Sequence, residues 1–277
     1  MTLAKDRTSA VGRLLKQWRS VRRMSQLELA LEAGVSARHV SFVETGRSGP
    51  SREMVMLLAE VLEVPHRERN ALLEAAGFAP YYRESELSDP ELAQVRRVIE
   101  FILERHEPYS AVAIDRRWNV LMANRSHQLM LDRLLGERSL DETTRGNLLR
   151  LTFDPDGLRS CIANWEEVAR ALVDRLHREI GICPDQESEA LLEAVLSYPG
   201  VPERWRVPDL TRPPPVVIPI RLRANSSGAS ADRLELALFS AITTLGTAQD
   251  VTLQELRIES FFPADEATER VIRGLAP

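Results

Sequence analysis

Arg38 carries a planar guanidinium that can bridge O6 and N7 of a guanine, a contact worth about 1 to 3 kcal/mol of discrimination. Ala37 and Phe42 beside it suit a thymine methyl, and Ser41 can reach a base edge. His39 and Ser41 are also suited to phosphate oxygens, as are Gln26, Ser36, Thr45 and Arg47, contacts that position rather than specify. The chemistry is readout of duplex DNA. It requires one short helix held rigidly with these side chains outward.

The surrounding residues predict such a helix. Ser25 stands three residues before Glu28, a capping-box pattern that starts a helix, and Leu27, Ala30 and Leu31 recur at three and four residues as its expected buried face. Gly34 ends it because glycine tolerates the left-handed turn, Val35 anchors the turn, and Ser36 caps the next helix. Val40 and Val43 then face inward, which turns Ala37, Arg38, Ser41 and Phe42 outward. Thr45, Gly46, Arg47 and Ser48 make a polar turn suited to the sugar-phosphate backbone. A helix over Ser9 to Arg23, with Val11, Leu14, Leu15 and Trp18, precedes the pair. Ser51 caps a fourth helix over Met54, Leu57, Leu58 and Val61, and Pro65 opens a fifth that closes near Gly77. A helical hairpin in some other bundle is the bland alternative, and the agreement of caps, turn glycine and periodicity weighs against it.

Ser-Gln-x-x-Leu-Ala, Ala-Gly-Val-Ser and Glu-x-Gly-Arg-x-x-Pro-Ser resemble the Cro/repressor-type (XRE) helix-turn-helix family over about seventy-five residues. The resemblance implies double-stranded operator DNA as partner and a structural pair between Arg19 and Glu44. Two such modules side by side read two half-sites, so a homodimer is expected.

Charge is divided along the chain. Residues 1–80 hold 12 Lys+Arg against 9 Asp+Glu, a balance of +3, whereas 81–277 hold 24 against 32, a balance of -8. With a net charge of -5, attraction to phosphate must come from a local patch on the first module. The 277 residues, 44% hydrophobic, allow two globular domains. No apolar run approaches the roughly 20 residues needed to span a bilayer, and a cytoplasmic protein without a membrane partner is expected. Cys161 and Cys183 predict two inert buried thiols. Histidines 39, 66, 106, 127 and 177 lack metal-ligand spacing and are expected on the surface or at caps, so no metal and no cofactor is expected.

Ala79 to Pro90 mixes turn formers and charges, marking an exposed connection. A helix from about Asp89 to His106 follows, with Leu92, Val95, Ile99 and Ile102 as one stripe that packs either on the second domain or on its copy in a dimer. Ser110 to Asp115 and Trp118 to Met122 read as a hairpin with Arg116 and Arg117 at the turn. Residues 125–135, 142–152, 163–181 and 187–198 show helical spacing. After Pro213, Pro214 and Pro215, the alternation from Val216 to Leu222 predicts a strand, placed at a sheet edge by Pro219. A turn over Asn225 to Ser230 and strands near 233–244 and 252–261 would complete an antiparallel sheet with helices on one side. The expected class is multidomain: an all-α five-helix module over 1–80, a linker and connecting helix over 81–107, and an α+β domain over 108–277.

Asp115-Arg-x-Trp118-Asn-Val-Leu-x-Ala-Asn124, Asn147-Leu-Leu-Arg-Leu-x-Phe-Asp-Pro155 and Asn164-Trp-Glu-Glu-Val-Ala169 resemble the ligand-binding domain of MmyB-like regulators over about residues 108 to 265. The family's basic segment with a His-Pro pair is replaced here by Arg212-Pro-Pro-Pro215. The resemblance implies a PAS-like fold and a small apolar ligand, a fatty acid or similar molecule. Trp118, Met122, Trp165 and Phe239 are candidate lining residues, and Arg150, Arg221 or Arg223 could meet a carboxylate; ordinary core and edge roles compete for each. No nucleophile motif, phosphate loop or metal spacing supports an enzyme, and Glu166 and Glu167 read as solvated helix charges. The alternative is a ligand-independent DNA-binding regulator whose C-terminal domain only dimerises or contacts protein partners.

Overall fold

The computed structural model describes residues 2–209, 217–224, 234–246 and 248–275. Two compact units emerge: Met1–Glu86 with Gly246–Gln254, and Leu87–Leu245 with Glu255–Pro277.

In the first unit, α1 (Thr2–Val21), α2 (Gln26–Glu32), α3 (Ala37–Glu44), α4 (Arg52–Val61) and α5 (His66–Ala76) close around Val11, Leu15, Leu29, Val40, Val43, Val55, Leu58 and Leu72, all at most 1% exposed. Caps set the starts. Ser25 Oγ accepts the Glu28 amide at 3.1 Å while the Glu28 carboxylate accepts the Ser25 amide at 2.6 Å. Ser36 and Ser51 cap α3 and α4 through their hydroxyls alone, which accept the His39 and Met54 amides at 3.2 Å, each worth about 1 kcal/mol. Gly34 turns at φ +66, and Gly77 ends α5 at φ +90.

The expected buried face of α2 is corrected. Leu29 and Ala30 are buried, while Leu27 and Leu31 are 59% and 71% exposed. In so short a helix two apolar stripes match equally well, and the Gln26 amide, which donates to Glu44 at 2.8 Å, goes with the rotation that buries 29 and 30.

Segment 246–254 belongs to this first unit although it joins two strands of the sheet described next. Asp250 accepts from the Ser85 amide and hydroxyl, and the Val251 amide donates to Arg83 at 2.8 Å. The His66 amide donates to Gln254 at 2.7 Å, and His66 Nε2 lies 2.9 Å from the Ala248 carbonyl.

The second unit runs α6 (Ala93–Arg105), β1 (Ala111–Ile114), β2 (Val120–Ala123), α7 (Arg125–Leu135), α8 (Glu142–Arg145), α9 (Leu148–Phe153), α10 (Trp165–Ile182), α11 (Gln186–Leu196), β3 (Ile220–Ala224), β4 (Leu234–Thr244), α12 (Val251–Glu255), β5 (Arg257–Pro263) and α13 (Glu266–Leu275), α12 straddling the division between the units. The strands order β2-β1-β5-β4-β3, every neighbouring pair antiparallel. The sheet is PAS-like, and the hairpin is part of it.

Alternation along the strands separates two faces. Ile220, Leu222, Leu238, Ser240, Glu259 and Phe261 look toward α7, α9 and α10, where Leu149, Phe153, Val168 and Val173 are buried. Ala111, Ala113 and Ile258 look the other way and bury Ile99 and Leu103 of α6. Helices therefore cover both faces, not one as expected, because β1 is apolar on both sides and Ile258 of β5 adds to its outer one. Of the two partners expected for the α6 stripe, the sheet is the one observed.

The expected helix 142–152 is broken into α8 and α9. Asn147 leaves the helix so that its Nδ2 can donate to Arg117 and Asn119, and the Gly146 carbonyl takes the Val120 amide. Residues 252–255 are helical rather than extended, since Asp250 accepts the Leu253 amide at 3.2 Å. His66 and His127 are buried, at 7% and 2% exposure, and Cys183 is only half-buried. Arg212-Pro-Pro-Pro215, Val216 and the Asn225–Ser230 turn lie outside the described residues. Strand β3 starts just after Pro219, which has no N–H to give a ladder, and its outer edge is met by Ile162, Ala163 and Asn164.

Candidate nucleic-acid interface and ligand cavity

On α3 Val40, Val43 and Glu44 are buried and the remaining side chains lie outward of them. Arg38 is exposed, Ala37, His39, Ser41 and Phe42 are half-buried, and Thr45 and Arg47 are exposed beyond the helix end. The Arg38 and Arg47 guanidiniums lie 5.1 and 5.9 Å from the Phe42 ring centre, so one aromatic ring contacts two cations. Ser36 Oγ is occupied by the His39 amide, and Thr45 Oγ1 donates to the Ser41 carbonyl at 2.7 Å. This surface can place one bidentate donor and a second cation against a duplex.

Behind it, Arg19 makes a two-pronged contact with Glu44, Nε to Oε1 at 2.6 Å and a terminal nitrogen to Oε2 at 2.9 Å, and also donates to the Met24 carbonyl. Gln26, half-buried, gives its amide to the same carboxylate. Burial raises the Glu44 carboxyl, but hydrogen bonds from Arg19 and Gln26 and the Arg19 charge outweigh it and hold the group below the ordinary carboxylate range.

In the second unit, the sheet and α10 enclose a cavity of about 280 Å³. Its apolar wall includes Leu149, Val168, Leu172, Ile220, Leu238 and Phe261, and its polar wall includes His127, Arg170, Asp174, Arg175, Ser240 and Glu259. Arg170 pairs with Asp174 at 2.9 Å and Arg175 with Glu179 at 2.9 Å, while Arg178 on the same helix is exposed. Burial lowers the His127 imidazole to about 4, so it is neutral at pH 7, and raises the Glu259 carboxyl against the pull of Ser240, Arg175 and Arg257.

Of the lining residues expected from sequence, Trp118 is in the wall. Met122 packs on the opposite face with Ala113 and Ile258, and Phe239 stacks on Phe262 there at 5.4 Å, because both occupy the outward phase of their strands. Trp165 is spent on the core: its Nε1 donates to the Thr152 carbonyl at 2.9 Å and the Arg159 guanidinium covers its ring at 3.9 Å. Arg221 and Arg223 are exposed, the latter paired with Glu235 at 3.3 Å, and Arg150 is half-buried on α9 outside the wall. The cations that do line the cavity are Arg170, Arg175 and Arg178, missed because their spacing on α10 reads as an ordinary solvated face. Glu259 was missed for another reason: nothing in sequence marks an acid at an inward strand position except its phase with Phe261.

The motif asparagines tie elements together. Asn124 caps α7 and donates to the Leu103 and Tyr109 carbonyls; Asn164 holds Pro219 and Arg221 of the β3 edge. Asp115 accepts from the amides of Arg117 and Asn119 and holds Trp118 at φ +66, aiming the indole into the core at about 1 to 3 kcal/mol of local strain. Among the described residues no three His, Cys, Asp or Glu side chains group for a metal, and no helix is long and apolar enough to cross a membrane.

A family model described as the MmyB-like transcription regulator ligand binding domain matches residues 95–275, and a helix-turn-helix model matches residues 15–69. The solved structure titled "Structure of an RNA-binding Light-Oxygen-Voltage Receptor" is similar at 10% identity and a TM-score of 0.24, over 96% of this chain and 62% of that one. The chain thus spans 62% of the length of that structure. No curated protein matches.

Proposed function

The chain belongs to the MmyB-like transcription regulators, and from that premise we propose that it binds operator DNA as a homodimer and that a fatty-acid-like molecule in the α10 cavity modulates this binding. It is a DNA-binding transcription regulator with a ligand-binding domain, and neither matched family is an enzyme family. Residues 1–80 read the DNA, 81–107 connect, and 108–277 hold the ligand, in the cytoplasm.

One observation carries the sensor reading. The strands β4 and β5 supply Leu238, Ser240, Glu259 and Phe261 to the cavity wall, and the segment that joins them, Gly246–Gln254, belongs to the DNA-binding unit. A ligand that shifts either strand therefore acts on a chain segment hydrogen-bonded to Ser85, Arg83 and His66. Binding free energy then appears as a coupling between ligand and operator, typically about 1–3 kcal/mol, and reciprocal. In the wall, Arg178 is the exposed cation available to a carboxylate. On DNA, Arg38 reads guanine, Ala37, Ser41 and Phe42 meet base edges, and Ser36, His39, Thr45 and Arg47 meet the backbone, with Gln26 steadying Glu44.

The test is to select an operator from a random duplex pool and measure its affinity as saturated fatty acids are titrated. A shift of about fivefold or more in operator affinity on saturation supports the sensor. A bound acid that leaves operator affinity unchanged supports the ligand-independent regulator instead.

A further inference from the structure

An acyl chain alone does not match this cavity. Glu259 is 6% exposed and lines the wall, and Ser240 hydrogen-bonds its carboxyl, yet its Oε2 has no hydrogen-bond partner among the described residues. Two further lining side chains share this condition: Trp118, 1% exposed, leaves Nε1 without a partner, and His127, 2% exposed, leaves Nε2 without one while its Nδ1 lies 2.8 Å from Ser110. Asp174 is a different case, since its free oxygen sits 2.9 Å from Arg170. A buried polar atom left unpaired keeps its full desolvation penalty, and a saturated chain packed against them would leave that cost in place.

We propose that the ligand carries an uncharged hydrogen-bonding group, a hydroxyl or a carbonyl, on its apolar body, and that Glu259 is the residue that selects for it. The inference rests on the ligand-binding reading above. Size limits the body: a cavity of about 280 Å³ lies at the lower end of the range for small-molecule sites, about 300 to 1,000 Å³, which suits a medium-chain acid. Charge limits the group. A cation beside Glu259 would also face Arg175 and Arg257, and a carboxylate there would face an acid in a low-dielectric wall. A hydroxyl does neither: it donates to the unpartnered Oε2 of Glu259 and accepts from the carboxyl where that group holds its proton. A rotation about the last torsion of Glu259 presents either oxygen to it.

The experiment is calorimetric titration of the full-length protein with lauric acid and with its mono-hydroxylated and mono-oxo derivatives, repeated on Glu259→Gln and Glu259→Leu. At least one derivative is expected to bind about tenfold tighter than lauric acid to the wild type. Glu259→Gln, which keeps an uncharged donor and acceptor, is expected to retain that preference within about threefold. Glu259→Leu is expected to abolish it, so that every derivative binds no tighter than lauric acid does to the same variant. Equal affinity of all probes for the wild type, or a preference that survives in Glu259→Leu, overturns the selection by Glu259 while leaving the acyl cavity intact. Binding of no probe at all overturns the acyl reading and this inference with it.

Discussion

The Asp250 carboxylate accepts hydrogen bonds from both the amide and the hydroxyl of Ser85, at 3.2 and 2.7 Å. Asp250 stands on the connection from β4 to β5, whose inward residues form part of the cavity wall. Asp250→Ala removes both bonds and the cap on Leu253. The ligand-dependent change in operator affinity is expected to fall at least about threefold, with affinity in the absence of ligand kept within about twofold. Fluorescence anisotropy on labelled operator, with and without saturating fatty acid, decides it. A full ligand response in the mutant would mean that the signal does not travel through this segment.

Arg38 and Arg47 share the Phe42 ring but are expected to fail differently on removal. Arg38→Ala should relax preference at one base pair by about 1–3 kcal/mol. Arg47→Ala should weaken all sequences alike and reduce the salt dependence by about one counterion. Selection from random duplexes and a salt titration of each mutant separate the two roles. Interchanged phenotypes would reverse the assignment.

Gly12 is a close-approach glycine. A Cβ there would lie 2.5 and 2.6 Å from the carbonyl oxygens of Val43 and Glu44, backbone atoms at the end of the reading helix that cannot rotate aside. Gly12→Ala is therefore expected to cost about 1–3 kcal/mol in unfolding of the N-terminal unit, despite the better helix propensity of alanine. Chemical denaturation followed by the Trp18 fluorescence measures it, and a stabilised mutant would refute the packing.

His127 makes stability depend on pH. Its imidazole is lowered from 6.5 to about 4 in the folded protein, so the unfolded chain takes up the proton first as pH falls. Stability is expected to be present above pH 6.5 and lost progressively down to about pH 4, by about 3 kcal/mol in all. Thermal melts of the wild type and His127→Gln between pH 7 and 4 should diverge in slope over that window. Parallel melts would contradict a buried neutral imidazole.

Glu259 has the opposite sign. Its carboxyl is raised by burial, so its contribution is complete below the ordinary glutamate range and is lost as pH rises through the folded value. Glu259→Gln is expected to melt higher than the wild type at pH 8, with the difference shrinking as pH falls. A lower melting point at pH 8 would show that the ionised form is well accommodated.

Much of this protein could be read along the chain because local rules sufficed. Ser25, Ser36 and Ser51 are caps, Gly34 and Gly77 are left-handed turns, and Val40 and Val43 are inward, since each depends on neighbours within about four residues. The PAS-like class and the Arg19–Glu44 pair came through family motifs, whose asparagines and Asp115 prove to be ties between elements. Where two local solutions were equal, tertiary packing chose: Leu29 over Leu27 and Leu31 beside the expected Ala30 in α2, and a break at Asn147 in place of a continuous helix.

The cavity wall was a decision of the tertiary structure alone. Trp118 and Trp165 are alike in sequence terms, yet one lines the cavity and the other gives its indole nitrogen to Thr152. Phe239 and Phe261 differ only in strand phase, and a single residue of register exchanges every side chain between the two faces. Glu259 becomes a candidate recognition group only when α10 and the strands β3, β4 and β5 close around it, because desolvation is a property of the surroundings and not of the residue.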